Sequence, residues 1–414
     1  MLLPIAPCIT GCRYTRPVNC DATAMDDRAI SYLGLTKFRG THTPFGIRQS
    51  DRRSHLYVIG ATGTGKSTLL EHLARQDLAA NRGFILIDPH GDLAERLWAG
   101  NREREGVTYL DAADPAQPFG YNPLRRVRDD KVPLAVSGLI DAFKKLWSDA
   151  WGVRMEHILR NCLYALMEQG GGATLPDILR LLWDDVYLRA VVARTRNPMV
   201  RQFFVQEFAN YAPRQKSEAI APIENKLGAL LTDPRLYRIL VAPEKPISFR
   251  RIMDQGEVLL VNLAKGRLGE DSANVLGGLI ASTIGLAALS RADESATLRR
   301  PFHVYIDEFQ SFTTLAFASM LPELRKYGVG FTLAHQYLAQ LAPEVRHAVL
   351  GNAGTILSFR VGAEDAAALT SEFSPAFSTL DLMNLANFDF YLRLMIDGAP
   401  SKPFSGQTKN TVAA

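Results

Sequence analysis

The chain of 414 residues is 47% hydrophobic and 22% charged, which excludes a disordered or fibrous protein and indicates a soluble globular one with room for two domains. Its net charge of +4 is compatible with a nucleic-acid partner but does not require one. No window approaches the ~20 consecutive apolar residues of a membrane span, and the four cysteines lack the paired spacing of a zinc site, so we expect a cytoplasmic protein with reduced thiols.

The first part of the chain is predicted to form an α/β core. Residues 1–45 show no regular pattern and are expected to be an irregular tail. Strand and helix patterns then alternate, with strands at 56–60, 84–88 and 107–111 and a helix at 65–80. Continuous β-branched runs of this kind are typical of a parallel sheet covered by helices on both faces. We therefore assign 46–129 to the first part of the core.

The middle of the chain changes to a helical pattern. Apolar residues recur at i, i+3 and i+4 in 136–146, 154–168 and 175–182, and few strand runs interrupt them. An all-α insertion domain is therefore expected at 130–243.

The alternation resumes after this segment. Strands are predicted at 258–263, 303–306, 330–333 and 355–359, with a Gly- and Ala-rich helix at 274–288. The run 388–396 is expected to be the last strand. Residues 244–399 then complete the core, and 400–414 form a C-terminal tail. The predicted fold class is α/β, with a mainly parallel central sheet and an inserted all-α domain.

A glycine-rich motif, G-x4-G-K-S, lies between the first predicted strand and its helix. Its glycines let backbone N–H groups turn inward around a phosphate, and the helix N-terminus adds its positive dipole end. Lys66 would reach the β- and γ-phosphates, and Ser67 would offer its hydroxyl to Mg²⁺. A turn without a ligand is the alternative, which the flanking strand and helix disfavour. The predicted nucleotide-binding residues are Gly60, Ala61, Thr62, Gly63, Thr64, Gly65, Lys66, Ser67 and Thr68.

The second half of such a site needs a carboxylate at the end of another core strand. The run 303–306 is apolar until it ends in Asp307 and Glu308. Asp307 would order Mg²⁺, and Glu308 would polarise the water that attacks the γ-phosphate of ATP. A strand that ends in two solvated acids is the alternative.

Three further residues are candidates for catalysis. Gln336 ends a predicted strand, where it could sense the γ-phosphate or place the water, or simply close the strand. Arg325, in a helix predicted at 320–327, suits the stabilisation of transition-state charge across a subunit boundary, with a solvated helix end as the alternative. Arg360 is the weaker candidate for the same role. His90, in a turn rich in Pro, Gly and Asp, stays unassigned, although Asp88 beside it could support the site.

Two basic clusters are candidates for contact with DNA phosphates. They are Arg125, Arg126 and Arg128, and Arg299 with Arg300. Clusters of this kind are usually solvated surface, so the sequence leaves both interpretations open.

Taken together, the motifs resemble a known family. The segments 60–68, 88–92, 121–124, 306–308, 334–336, 352–355, 359–362 and 364–366 occur in matching order. The chain resembles, over roughly 45–398, the HerA/FtsK superfamily of motor ATPases, and within it the conjugative coupling proteins and related type IV secretion ATPases. The ordered set is far more specific than the phosphate-binding motif alone.

The resemblance implies a RecA-like core, a ring of six subunits and movement of DNA through a central channel, driven by hydrolysis of ATP with Mg²⁺. Lys66 and Ser67 match the Walker A pair, Asp307 and Glu308 the Walker B pair, Gln336 a glutamine sensor and Arg325 a trans-acting arginine finger. The relaxosome or the membrane complex of a type IV secretion system would be the partner. Coupling proteins begin with membrane helices, and none precedes the Walker A motif here. That departure suits a cytoplasmic form held at the inner membrane by partners, a HerA-like ATPase of DNA processing or defence, or a secretion ATPase that energises pilus assembly or protein substrates.

Overall fold

The computed structural model describes residues 27–37, 42–147 and 151–408, and an 11-stranded sheet lies at its centre. The strands, including two short pairs outside the main sheet, are β1 (Ile30–Thr36), β2 (Pro44–Arg48), β3 (Leu56–Ile59), β4 (Phe84–Asp88), β5 (Val107–Asp111), β6 (Phe119–Gly120), β7 (Lys245–Pro246), β8 (Val258–Asn262), β9 (Phe302–Ile306), β10 (Val329–His335), β11 (Thr355–Ser358), β12 (Asp389–Arg393), β13 (Met395–Ile396), β14 (Ala399–Pro400) and β15 (Phe404–Gln407).

The order of the main sheet is β2-β1-β15-β12-β11-β3-β10-β9-β4-β8-β5, and the pairings from β11 to β5 are parallel. The remaining four strands add antiparallel pairs at one side. The parallel strands β3, β4 and β9 are buried along their whole length, which explains their continuous apolar sequences. Because these strands run in register, their carboxyl ends meet at one edge of the sheet, where ligands bind in open α/β folds.

Helices cover both faces of the sheet. They are α1 (Gln49–Arg52), α2 (Lys66–Ala79), α3 (Asp92–Ala99), α4 (Val132–Leu146), α5 (Val153–Met167), α6 (Pro176–Trp183), α7 (Asp185–Arg194), α8 (Pro198–Gln202), α9 (Pro213–Thr232), α10 (Pro234–Leu240), α11 (Phe249–Gln255), α12 (Lys265–Leu268), α13 (Glu270–Ser290), α14 (Leu315–Leu324), α15 (Pro343–Asn352), α16 (Ala363–Phe373) and α17 (Thr379–Met383). Helix α2 contributes Leu69, Leu70 and Leu73 to the apolar core on one face.

Helix α13 is apolar on all sides and packs beneath the other face of the sheet. Within the described residues, the stretch Glu270–Asp293 is the one helix long and apolar enough to cross a membrane, with a mean hydropathy of 1.6. Its apolar window is 83% buried inside the protein. The composition of this helix is therefore that of a core element.

The elements that the structure describes between Asp129 and Leu240 are all helical. Their buried side chains, such as Leu159 and Ile223, belong to the same apolar cluster as Ile85 and Val304 of the sheet. The helical segment therefore shares its hydrophobic core with one face of the sheet.

Both predicted tails are wrong within the described residues. Strand β1 lies within 1–45 and β2 begins there, while β15 lies within 400–414. Strand β15 sits between β1 and β12 as a long-range antiparallel partner of both. Such pairings join distant parts of the chain, and short alternating strands that contain glycine give little local signal for them. The run expected to be the last strand, 388–396, contains β12 and β13 and is followed by two more strands.

A buried polar cluster joins the far end of α2 to the sheet. Asp77 is fully buried and accepts hydrogen bonds from Arg52 at 2.8 and 3.0 Å and from Arg82 at 2.7 Å, with Tyr305 as a further donor. Burial by itself would raise the pKa of Asp77, but the Arg52 guanidinium holds it well below its usual range. The helix that begins at Lys66 is thus anchored at its other end by an ionised carboxylate.

Candidate active site

The glycine-rich loop follows β3 and turns directly into α2. Gly63 and Gly65 have φ of +75° and +123°. At Gly65 a Cβ atom would lie 3.0 Å from a ring carbon of Phe359, so both the backbone conformation and the close packing require glycine. The Lys66 ammonium donates to the carbonyls of Gly60 at 2.7 Å and Ala61 at 3.1 Å, within the loop itself. Burial lowers the pKa of Lys66, an effect that Asp307 and Glu308 oppose.

The predicted metal-binding pair meets at the carboxyl edge of the sheet. The Ser67 hydroxyl donates to the Asp307 carboxylate at 2.9 Å, across 240 residues of sequence. Burial, with a further contribution from the nearby Asp88 carboxylate, raises the pKa of Asp307 to about 6. A buried carboxylate beside a hydroxyl is an oxygen donor set that suits Mg²⁺, which takes few protein ligands when nucleotide phosphates supply others. The residues therefore fit Mg²⁺, which would neutralise phosphate charge there.

Glu308 occupies a strained position just beyond Asp307. Its φ of +46° places a non-glycine residue in the left-handed region, a cost of order 1–3 kcal/mol that often marks functional sites. The Gln336 amide donates to the Glu308 carboxylate at 2.7 Å, and the Thr62 hydroxyl donates to the Gln336 amide oxygen at 3.0 Å. Gln336 thus bridges the phosphate-binding loop and the candidate catalytic acid.

Sequence reasoning missed a second partner of Glu308. The Gln310 amide donates to the other oxygen of the same carboxylate. Gln310 follows Glu308 by two residues in a short 3-10 turn, Phe309–Ser311. A polar residue in such a turn carries no distinctive sequence signal, so only the fold identifies it.

Asp88 and His90 have different surroundings. The Asp88 carboxylate accepts backbone N–H bonds from His90, Leu93 and Ala94 at 3.0, 2.8 and 3.0 Å, so it caps the start of α3. His90 is exposed and lines a cavity of about 500 Å³ that Glu308 and Gln336 also line. The structure therefore gives Asp88 a capping role and leaves His90 beside the site.

The two arginine candidates lie at opposite edges of the sheet. Arg325 is exposed in a 3-10 turn, Arg325–Tyr327, between α14 and the amino end of β10. Arg360 follows the carboxyl end of β11. Its carbonyl accepts from the Ala61 N–H at 2.8 Å, and its guanidinium donates to Leu385 and Asn387. Arg360 therefore lies beside the phosphate-binding loop of its own chain, whereas Arg325 does not.

A buried histidine connects β3 to α14, the helix that precedes Arg325. His55 precedes β3, and its Nδ1 accepts the N–H of Phe331 in β10 at 3.1 Å. Its Nε2 must then carry the proton, which it donates to the carbonyl of Leu321 in α14 at 3.1 Å. Burial, with a smaller contribution from the charge of Arg325, lowers the pKa of His55 to about 4, although the Leu321 carbonyl acts in the opposite direction. The neutral tautomer is the form that the fold requires.

We expect this histidine to make the protein acid-sensitive. Its pKa in the folded state is below the unfolded value of about 6.5, so the unfolded state binds more protons and stability falls as pH drops from 6.5 toward 4. The His55→Asn variant lacks this term. The difference in free energy of unfolding between wild type and variant should shrink by about 2 kcal/mol from pH 7.5 to pH 5. Urea unfolding at both pH values measures it, and a difference that does not change with pH would contradict the assignment.

The basic clusters predicted to touch DNA differ in their contacts. Arg299 donates to the carbonyls of Arg291, Glu294 and Lys326, and Arg300 donates to two more backbone carbonyls. Arg125 lies over the Phe249 ring at 5.8 Å, and Arg128 pairs with Asp130 at 3.0 Å. The guanidinium groups of Arg299 and Arg300 thus hold the turn before β9, which leaves little support for a DNA contact there.

Comparison with known structures agrees with this architecture. The bacterial conjugative coupling protein TrwBdeltaN70 has a TM-score of 0.64 at 16% identity, over 94% of this chain and 90% of that chain. TrwB in complex with the non-hydrolysable ATP analogue ADPNP has a TM-score of 0.61 at 18% identity, over 98% and 95%. VirB4 of Thermoanaerobacter pseudethanolicus has a TM-score of 0.59 at 15% identity, over 92% and 97%. The predicted RecA-like P-loop fold is thereby confirmed.

Comparison by sequence identifies the family. No curated protein matches the chain. The family model described as "Helicase HerA, central domain" matches residues 33–283, which is more than half of the chain and includes the phosphate-binding loop. Together with the fold, this match confirms the predicted resemblance to the HerA/FtsK superfamily. The chain belongs to the HerA central-domain family of P-loop ATPases.

Proposed function

We propose that this protein is a motor that hydrolyses ATP with Mg²⁺ and moves DNA, in a conjugative or type IV secretion context. One observation carries the proposal. A continuous set of hydrogen bonds at the carboxyl edge of the sheet joins Thr62, Gln336 and Glu308, beside the Ser67–Asp307 pair. These are the groups needed to hold phosphates, position a metal ion and activate water.

The site is proposed to be completed by a neighbouring subunit in a ring of six. Strand β10 has seven residues, so at ~3.3 Å per residue its two ends are about 20 Å apart. Arg325 precedes the amino end, and the nucleotide site lies at the carboxyl end. An arginine cannot span that distance, but in a head-to-tail ring this edge of one subunit would face the nucleotide site of the next. No described residue forms an ion pair with Arg325, which supports a role toward a second copy.

DNA, and the relaxosome or a membrane secretion complex, are the proposed partners. TrwB is a plasmid coupling protein, and the similarity to its fold supports the proposal. The protein is proposed to work in the cytoplasm, where partners hold it at the inner membrane. A protein-secretion or pilus ATPase is the alternative that the following experiment separates.

We expect DNA to stimulate ATP hydrolysis by the purified protein. The steady-state rate would be measured with Mg²⁺ alone, with single-stranded DNA and with double-stranded DNA, while the mass of the assembly is measured in parallel. Lys66→Ala should abolish hydrolysis, because it removes the cation that binds the β- and γ-phosphates. If phosphate contacts dominate, the logarithm of DNA affinity should fall linearly with the logarithm of salt concentration.

Each outcome bears on one part of the proposal. Hydrolysis that DNA does not raise, in an assembly that does not bind DNA, would favour the secretion alternative. Absence of any Lys66-dependent hydrolysis would contradict the ATPase itself. A monomer under conditions of full activity would contradict the shared site.

A further inference from the structure

Helix α4, in the helical segment, holds the loop that follows the candidate catalytic acid. The Lys145 ammonium donates to the carbonyl of Thr313 at 2.9 Å and to that of Gln310. One turn earlier on the same helix, the Asp141 carboxylate accepts the N–H of Ala316 at 2.9 Å. The positive Lys145 ammonium meets backbone carbonyls and the negative Asp141 carboxylate meets a backbone N–H, so both hydrogen bonds are charge-assisted. We name this pair of side chains the α4 clamp.

The clamped segment is under strain at its catalytic end. Glu308 has a positive φ, and the amide oxygen of Gln310 is buried without a hydrogen-bond partner among the described residues. A strained backbone conformation and an unsatisfied buried polar atom each cost free energy. Such an arrangement persists only where its surroundings hold it, and the α4 clamp is one of the contacts from outside the segment that do so, beside the hydrogen bond from Gln336 to Glu308.

The segment also links the candidate catalytic acid to the arginine proposed to serve the next subunit. It begins after Glu308, to which Gln310 donates, and it continues into α14, whose end leads to Arg325. Two cavities of about 500 and 320 Å³ border the clamp, and Lys145 and Gln310 line both. The loop therefore borders open space into which it can shift when α4 moves.

From these contacts we propose that Lys145 is a positioning residue for ATP hydrolysis, which acts through Gln310 on the Glu308 carboxylate. The position of α4 relative to the Glu308 loop then controls the rate of ATP hydrolysis. A cargo or partner that moves the helical segment would therefore change that rate. The inference rests on the proposed ATPase function and adds the route by which the helical segment reaches it.

The test compares four variants with wild type. Lys145→Met keeps the length of the side chain and removes its charge, and Gln310→Ala removes the last hydrogen bond of the route. Lys144→Met is the matched control, because Lys144 is the adjacent residue on α4 but faces Glu156 at 3.6 Å. The fourth variant combines Lys145→Met with Gln310→Ala. The measurements are kcat and KM for ATP, with thermal unfolding as a check on folding.

We expect Lys145→Met and Gln310→Ala each to lower kcat by about 10- to 100-fold, as misplacement of a catalytic group by about 1 Å does. KM should hardly change, because the phosphate-binding loop is untouched. The double variant should lose little more than either single one, since both changes break one route. Lys144→Met should match wild type.

Several results would overturn the inference. They are a wild-type kcat in either single variant, losses that multiply in the double variant, and an equal loss in Lys144→Met. If Lys145→Met does not fold, Lys145→Gln takes its place in the same comparison, because it also removes the charge. Absence of Lys66-dependent hydrolysis in wild type would instead overturn the proposed ATPase, and this inference with it.

Discussion

Preparations of Lys66→Ala and Arg325→Ala, each inactive by itself, are expected to recover ATP hydrolysis when they are mixed and allowed to exchange subunits. Lys66→Ala has no working phosphate-binding loop but keeps its arginine, and Arg325→Ala has the converse defect. An arginine finger is worth about 10³- to 10⁵-fold in rate, so Arg325→Ala should be nearly as inactive as Lys66→Ala. In a mixed ring, a Lys66→Ala subunit would supply its Arg325 to the intact phosphate-binding loop of a neighbouring Arg325→Ala subunit.

The size of the recovery is also predicted. At equal amounts, about a quarter of the interfaces join an intact loop to an intact arginine, so about a quarter of the wild-type rate should return. A mixture of Lys66→Ala with Arg360→Ala is the matched control. Arg360 lies beside the phosphate-binding loop of its own chain, through a backbone carbonyl that alanine keeps, so mixing should return no activity beyond what the Arg360→Ala preparation has by itself. No recovery in the first mixture, or equal recovery in both, would contradict Arg325 as the trans-acting residue.

Loss of the Asp77 carboxylate is expected to destabilise the protein by about 3–5 kcal/mol. The change Asp77→Ala leaves Arg52, which is 4% exposed, without the partner that offsets its burial. Arg82 and Tyr305 lose an acceptor in the same step. The midpoint of urea unfolding at pH 7.5 measures the effect, read as a free energy of unfolding.

Glu218→Ala provides the control for this prediction. Glu218 pairs with Arg214 at 2.9 Å on the surface of α9, and both side chains are largely exposed. Exposed pairs of this kind contribute about 0–1 kcal/mol, so the variant should unfold close to wild type. A loss below about 1 kcal/mol in Asp77→Ala would show that the buried cluster does not anchor α2.

The parts of the fold that were predicted well are those with a strong local pattern. Strands β4 and β5 begin and end where the sequence places them, and β3 and β9 differ from prediction by one residue. Strands β3, β4 and β9 are buried along their whole length, so their apolar runs are continuous and end abruptly, whereas β5 is a half-buried strand at the edge of the sheet. The mainly parallel α/β class follows from the same runs and is confirmed.

The edge of the sheet was missed for a physical reason. Strand β1 pairs with β15, so Leu35 lies opposite Gln407, and no local feature of either segment records that contact. The predicted boundaries of the helical insertion domain remain a prediction, because its side chains share a core with the sheet.

The residues of the candidate site were predicted from the sequence, but the hydrogen bonds that join them to the surrounding structure were not. Ser67, Asp307, Glu308 and Gln336 lie together as expected, and their catalytic roles remain predictions. The contact between Lys145 and Gln310 joins residues 165 positions apart through a backbone carbonyl. Any residue type can supply a carbonyl, so such contacts leave no trace in sequence.

The position of β15 between β1 and β12 has a consequence for synthesis of the chain on the ribosome. The β1–β2 hairpin leaves the ribosome well before β15, its neighbour in the sheet, because β2 ends at Arg48 and β15 begins at Phe404. At ~5–20 residues per second, on the order of half a minute separates the two. During that time the hairpin can dock on α2, where Gln76 exchanges hydrogen bonds with Tyr32 at 2.8 and 2.9 Å. Helix α2, which begins at the phosphate-binding loop, can thus bind the hairpin during translation until β15 is synthesised and pairs with β1.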